Sequence, residues 1–263
     1  QAAKNDHYYD PASGTYKGGF VINAEGEKEA IKGRSSFIMK KKVKVYPDTL
    51  CWLKDLTYAY NEPFVREYFS HIGYDNYPVV GVNWHQAQAF CNWRTQYFNS
   101  NAGVRVQAWR LPNEVEWEYA ARGGLSGAKY PWGGPYTRNK KGCFLANFKP
   151  LRGNYISDGG FTTVPVGTYE PNGFGLYDMA GNVAEWTGDA FDESAYQVTH
   201  DLSPYYQITA KKSDNKILKR KVIRGGSWKD IAYFMQCGVR TYEYADSARS
   251  FIGFRTVRTR IEY

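Results

Sequence analysis

The sequence predicts an α+β domain that is loop-rich, with short strands and two main helices. Three observations point there. The 263 residues include 26 Gly, 23 Tyr, 14 Phe and 8 Trp, a composition of many turns in which large rings fill irregular spaces. Two stretches open with helix-capping patterns and continue with helical periodicity. Elsewhere YPWGG, EPNGFG and MAGN cut the chain into pieces too short for long elements. A chain of this length buries a sizeable core.

Residues 1 to about 45 are charged and turn-rich, with DPASG and AEGEKEAIKG and few apolar anchors. Residues 1–50 therefore read as a peripheral N-terminal segment or insertion, ahead of a main domain at 51–263. Residues 43–60, VKVYPDTLCWLKDLTYAY, alternate enough for one or two short strands. The first helix starts at Asn83, the cap of WHQAQAFCNWRTQYF, and Gln86 three residues on completes a capping box. Trp84, Ala87, Cys91, Arg94 and Phe98 fall near one face, which predicts packing by the aromatic side. The second helix repeats the device with Asn113 and Glu116, runs through VEWEYAAR, and stops at Gly123-Gly124. Val115, Tyr119 and Ala120 are its expected inward stripe. After Gly123 the chain reads as loops and short strands without a tandem repeat.

The formal charge is +8, but the basic residues are scattered, with short runs such as KKK at 40–42, KK at 140–141 and LKRK at 218–221. No nucleic-acid module surrounds these clusters, so they read as solvated surface, with an acidic protein partner the next reading. No apolar run approaches the roughly 20 residues that span a bilayer. The chain begins at Gln1 with no charged-then-apolar leader, so an export signal is expected upstream or removed.

Cys51, Cys91, Cys143 and Cys237 are isolated, with no CxxC and no zinc spacing. Cys91 reads as a small buried side chain, and Cys51 with Cys143 is a pairing open only in an oxidising compartment. His7, His71, His85 and His200 fall in no recognised nucleophile motif, and since triads assemble in space their sequence neighbours only suggest that such catalysis is absent. Glu114, Glu116 and Glu118 crowd one short helix and read as favourable first-turn charge. GxGxxG and P-loop patterns are absent.

Residues 176–189, LYDMAGNVAEWTGD, place Asp178 and Glu185 around a Gly-Asn turn. Such a turn can converge two carboxylates and intervening carbonyls on one point, as a hard cation requires. The same residues equally suit turn capping or pairing with arginines. ANF at 146–148 with SDGG at 157–160 is a second oxygen-rich patch open to both readings.

Taken in order, PVVGVNWHQAQAFCNWR, RLPNEVEWEYAARGG, YPWGG, PNGFGLYDMAGNVAEWTGD, VIRGGSW and IGFRTVR, from about 78 to 258, resemble the formylglycine-generating enzyme (sulfatase-modifying factor) domain. That resemblance implies a variant of the C-type lectin fold; it speaks to scaffold, not to activity. The stretches YPDTLCWLKDLTYAYNEPFVREYFSHIGYDNYPVVGVNW and KRKVIRGGSWKDIAYFMQCGVRTYEYADSARSFIGFR resemble the PorK/GldK lipoproteins of the type IX secretion and gliding machinery. This second resemblance implies a periplasmic protein tethered to the outer membrane by a lipid anchor outside the chain. It also implies a ring built with copies of itself and a PorN/GldN-type partner; that no nucleic acid is a partner is expected from the scattered charge alone. The family's opening GGxFxMG-type segment is not found, so the front portion of the domain is expected to be missing.

Active members of the enzyme family resemble a GGSY-x-C pattern with a second cysteine a few residues on, binding copper(I) between thiolates. Here Asp230 stands at the first cysteine position and Cys237 aligns elsewhere, so the expectation is no copper, no catalytic residue and a non-enzyme, a pseudoenzyme. The resemblance also implies structural calcium at two sets of ligands. One is Asp178, the carbonyls of Gly181 and Val183, and Glu185; the other is Asn147, the Phe148 carbonyl, Asp158 and the Gly160 carbonyl. The expected function is a structural subunit of the secretion ring, with the Tyr-rich segments 58–77 and 196–206 as interfaces. The alternatives are a copper-dependent formylglycine-generating oxidase and a lectin-like ligand-binding protein.

Overall fold

The computed structural model describes residues 43–58, 61–101, 106–151, 154, 156, 160–199, 204–210 and 213–259, and four short strands before them. The chain divides into two units, 1–44 and 45–263. In the first, β1 (Tyr8–Asp10) pairs antiparallel with β2 (Thr15–Lys17), and β3 (Phe20–Ile22) with β4 (Lys28–Ala30).

The second unit opens with α1 (Cys51–Asp55) where the alternation predicted strands. Local hydrogen bonds and one large ring account for the difference. Asp48 gathers the turn, its Oδ1 accepting from Leu50 N at 3.0 Å and its carbonyl from Cys51 N at 3.2 Å. A helical turn then carries Cys51 and Trp52 inward together, both fully buried. The Trp52 ring stacks on Phe64 of α2 (Glu62–Glu67) at 4.8 Å between centroids and lies 6.1 Å from Trp228. Tyr68, Tyr74 and Tyr77 extend this knot, so much of the Tyr-rich segment faces inward; Tyr68 is 5% exposed. Each ring so buried contributes roughly 1.5–3 kcal/mol.

Both main helices form. In α3 (Trp84–Asn101) Asn83 Oδ1 accepts from Gln86 N at 2.9 Å, and Asn83 N donates to Gln86 Oε1 at 2.8 Å. This is the expected capping box. Trp84, Ala87 and Cys91 are buried as expected, but Phe98 stands 40% exposed and Arg94 lies over the Trp109 ring. The aromatic side of α3 is therefore mostly outward. In α4 (Glu114–Arg122) the Asn113–Glu116 box is complete, and Gly123 closes the helix at φ +57°. The inward face of α4 differs from the expected stripe: Glu114, Trp117 and Ala121 are buried, whereas Val115 and Tyr119 are exposed. Buried arginines decide this, because an unpaired buried charge costs more than an exposed Val or Tyr loses.

The sheet runs in the order β7–β6–β5–β8, with β5 (Ala184–Ala190), β6 (Arg220–Arg224), β7 (Thr241–Tyr244) and β8 (Ile252–Gly253). β5 lies antiparallel to β6, with Glu185 opposite Arg224 and Trp186 opposite Ile223. It lies parallel to β8, with Ala184 beside Ile252. Every residue of β5 is buried, including Glu185 and Asp189, so those carboxylates must find partners inside. α3 covers one core of this sheet through Trp84, Ala87 and Cys91 against Trp186, Ile223 and Ile252. A short helix, α5 (Ala195–Val198), follows β5. Among the described residues no helix is long and apolar enough to cross a membrane.

Candidate functional site

The turn before β5 is where the sequence placed its chemistry, and it is tightly wound. Asp178, Gly181 and Asn182 take left-handed backbone at φ +54°, +76° and +60°. Glycine is required at 181, because a side-chain carbon there would lie 2.3 Å from the Asn147 carbonyl oxygen. Asn182, fully buried, ties three loops together. Its backbone N donates to Asn147 O at 2.8 Å, and its carbonyl accepts from Trp228 N at 2.9 Å. Its side chain accepts from Val164 N at 3.0 Å and donates to Val164 O at 3.1 Å. Sequence reasoning passed over Asn182; its place in a Gly-Asn turn, where Asn tolerates left-handed backbone, was the available signal.

Glu185 points from β5 into a cavity of about 330 Å³ lined by Pro78, Val79, Val166, Asp178 and Arg255. Its Oε2 accepts from Trp117 Nε1 at 2.7 Å and from Arg255 Nε at 2.5 Å, and its Oε1 accepts from Arg255 Nη2 at 2.7 Å. Asp178 faces the same cavity, and its Oδ2 accepts from Gly167 N at 2.8 Å. Burial pushes the Asp178 carboxyl above the ordinary range, with the Glu185 charge adding to the shift. Calcium takes six to eight oxygens and needs negative charge around it. The set of Asp178, Gly181, Val183 and Glu185 does not fit that ion as arranged, because the Arg255 guanidinium already answers the Glu185 charge and occupies both its oxygens.

The second set is partly drawn together. Asn147 is buried, and its Nδ2 donates to Thr162 O at 2.6 Å. Its Oδ1 faces Gly160, where an added side-chain carbon would lie 2.5 Å away. Phe148 is buried beside it, and Asp158 lies outside the described residues. Asn147 Oδ1 is thus the one side-chain oxygen of this set placed among the described residues. Among the described residues, no group of three or more His, Cys, Asp or Glu is placed to hold a metal ion.

The three glutamates of α4 are structural charges in a lattice. Glu114 accepts from Arg240 Nε at 2.6 Å and Nη2 at 2.8 Å. Glu116 takes both arms of Arg110 at 2.6 Å. Glu118 accepts from Arg122 and from Arg224, and Arg224 is fully buried. Behind Glu114, Asp189 accepts from Glu114 N and Tyr206 N, and burial pushes its carboxyl up to about 6. Burial brings Lys221 down to about 8; its ammonium sits 4.1 Å from the Trp84 ring centroid.

The segment after Trp228 holds one thiol. Ser227 Oγ donates to Asp230 Oδ2 at 2.6 Å, and burial raises the Asp230 carboxyl. Cys237 is 1% exposed against Trp117, Ala121 and Met179, and burial pushes its thiol up to about 11. A protonated, isolated thiol does not fit a two-thiolate copper grip. Cys51 is buried and Cys143 exposed, and both are free.

Residues 31–260 match the model of the sulfatase-modifying factor enzyme 1-like domain. The chain belongs to that family. It is 35% identical over 189 residues to a formylglycine-generating enzyme of Streptomyces coelicolor, covering 70% of this chain and 53% of that protein. It is also 35% identical over 185 residues to the inactive Cα-formylglycine-generating enzyme 2 of Bos taurus, covering 68% of this chain and 49% of that protein. The chain thus spans about half the length of these relatives. Its fold is that of the family: the structure of PvdO from Pseudomonas aeruginosa superposes with a TM-score of 0.55 at 27% identity, over 70% of this chain and 62% of that one. The loop-rich α+β architecture expected from sequence stands.

One expectation does not. The sequence read as a non-enzyme, but a relative at 35% identity carries the name of an active formylglycine-generating enzyme and another equally similar one is named inactive. Both states occur on this scaffold, so the sulfur count at residues 228–237 does not make the chain a non-enzyme.

Proposed function

We propose that this member of the sulfatase-modifying factor domain family is a building subunit of the periplasmic ring of a type IX secretion or gliding machine. In this reading a lipid anchor outside the chain holds it at the outer membrane, and it assembles with a PorN/GldN-type partner and with copies of itself. The observation that carries the reading is the aromatic segment that opens the main domain. Trp52, Phe64 and Tyr68 fasten it to Trp228 of the family scaffold, while Tyr58 and Ile72 stay exposed at 103% and 78%. Its sequence is the part that resembles the PorK/GldK lipoproteins. A packed module that leaves a large ring and a large aliphatic side chain exposed suits permanent assembly, where such anchors, once buried, supply most of the binding energy. Calcium at Asn147, Phe148, Asp158 and Gly160 would pin loops that have little regular structure to hold them. Size-exclusion chromatography with a PorN/GldN-type protein tests the reading. A joint peak of higher mass is expected, and an unchanged lone monomer would sink it.

Kinship with the Streptomyces coelicolor enzyme favours a second reading, modification of a cysteine in another protein. Its test is incubation with copper and a cysteine-containing sulfatase peptide. An aldehyde product supports it, and unmodified peptide removes it.

A further inference from the structure

We propose that the outward face of α3 is a docking surface for an apolar protein segment rimmed with carboxylates. Phe90, Trp93 and Tyr97, at helical spacing on one face, are 39%, 54% and 58% exposed. Their rings touch in series, Phe90 to Trp93 at 5.6 Å and Trp93 to Tyr97 at 5.2 Å, and Phe254 continues the strip 5.4 Å from Phe90. Single exposed rings are ordinary, whereas a contiguous strip marks an interaction site. The helix has already buried its other face through Trp84, Ala87 and Cys91, so the strip is not needed for folding.

Charge identifies the occupant. The 18 residues of α3 contain no Asp or Glu. Arg94, on α3, and Arg258 both lie over the Trp109 ring, Arg94 at 3.8 Å and Arg258 at 5.3 Å, and Arg258 also lies 6.0 Å from Phe98 at the end of the helix. Arg94 donates to Thr256 Oγ1 at 2.7 Å, and neither guanidinium pairs with a carboxylate among the described residues. Stacked rings on a helix whose flank carries two guanidiniums that meet no carboxylate among the described residues match apolar side chains flanked by Asp or Glu. A lipid surface fits less well, because membrane-lying helices carry many Lys and Arg on their polar face and α3 has a single Arg. The surface does not depend on the ring reading above.

The test uses the full chain and two labelled synthetic amphipathic helices, one with a Leu stripe flanked by Glu and one with Lys in place of Glu. The Glu helix is expected to bind, to weaken as salt is raised, and to bind about tenfold more tightly than the Lys helix. Trp93→Ser with Tyr97→Ser should weaken it by about tenfold or more while the circular dichroism melt stays in place. Failure of the Glu helix to bind, equal binding of both helices, or indifference to the double variant would overturn the proposal. So would concentration-dependent self-association lost in that variant, which assigns the face to a second copy, or binding of anionic vesicles in place of the peptide.

Discussion

Arg255 closes on Glu185 through two hydrogen bonds, at 2.5 and 2.7 Å, and joins the turn after β8 to the buried middle strand of the sheet. Glu185 also holds Trp117 of α4, so one carboxylate fastens three parts of the chain. The side chains are 8% and 26% exposed. Arg255→Met would leave Glu185 buried with only the indole N–H. Breaking a buried pair costs about 3–5 kcal/mol, and partial exposure of Arg255 lowers this to roughly 2–4 kcal/mol. Urea denaturation should show that loss, and the double change Arg255→Met with Glu185→Leu should recover part of it. A single variant as stable as wild type would mean that the pair is idle.

Asn182 is expected to be the most sensitive polar residue of the turn. Asn182→Ala orphans both the N–H and the carbonyl of Val164 and puts a residue with no local hydrogen bond into left-handed backbone. Unsatisfied buried groups cost about 1–3 kcal/mol each, and left-handed backbone adds about 1 kcal/mol. The expected loss is therefore roughly 3–7 kcal/mol, read as a lower midpoint in thermal or urea unfolding. Asn182→Asp should be no better tolerated than Asn182→Ala, because its carboxylate keeps the acceptor for Val164 N but sets an unpaired buried charge against Val164 O.

Local signals were legible in the sequence, and long-range ones were not. The caps at Asn83 and Asn113 and the stop at Gly123 act within three or four residues, so their geometry follows from spacing. The face of α4 does not: Glu114 turns inward because Arg240, 126 residues away, meets it there. Helical periodicity alone favours Val115 and Tyr119. Likewise Glu185 reads as a metal ligand until Arg255, 70 residues on, is seen beside it. The rings of α3 misled for a different reason. Aromatic residues usually turn inward, yet this helix satisfies its core with Trp84, Ala87 and Cys91 and leaves Phe90, Trp93 and Tyr97 outside.

Lys221 should leave a signature in alkaline stability. Its folded pKa, lowered by burial to about 8, lies below the unfolded value near 10.5. Between those values the unfolded chain binds more protons, so stability rises with pH across the window from about 8 to 10.5. A shift of this size corresponds to on the order of 3 kcal/mol across the window. Lys221→Met keeps the bulk over Trp84 and removes the titration, so the difference in stability between wild type and variant should grow in favour of wild type as pH rises. Parallel curves between pH 8 and 10.5 would refute the assignment.

Asp189 acts in the acid range with the opposite slope. Burial raises its folded pKa to about 6 from an ordinary 3.8. Between those values the folded chain binds more protons, so this group alone makes stability fall as pH rises from about 4 to 6. Asp189→Asn should flatten that component. It also gives up one of two acceptors, since Glu114 N and Tyr206 N both donate to Asp189. The variant should therefore be less stable at every pH, and its deficit should shrink as pH rises from 4 to 6. A deficit constant across that range would show that Asp189 does not titrate there.

Calcium, if it binds, should act through Asn147 and not through Glu185. Asn147 Oδ1 faces the Gly160 backbone with its amide nitrogen already committed to Thr162 O, whereas the oxygens of Glu185 are held by Arg255. Chelation should therefore lower the melting temperature of wild type, and added calcium should restore it. Asp158→Asn, which removes the one carboxylate of the Asn147 set, should abolish the response. Arg255→Met should retain it on a lower baseline, because the loss there is of an ion pair and not of a metal. A response that vanishes with Glu185→Gln but survives Asp158→Asn would reverse the assignment, placing the ion in the turn before β5 and requiring Arg255 to swing aside to admit it.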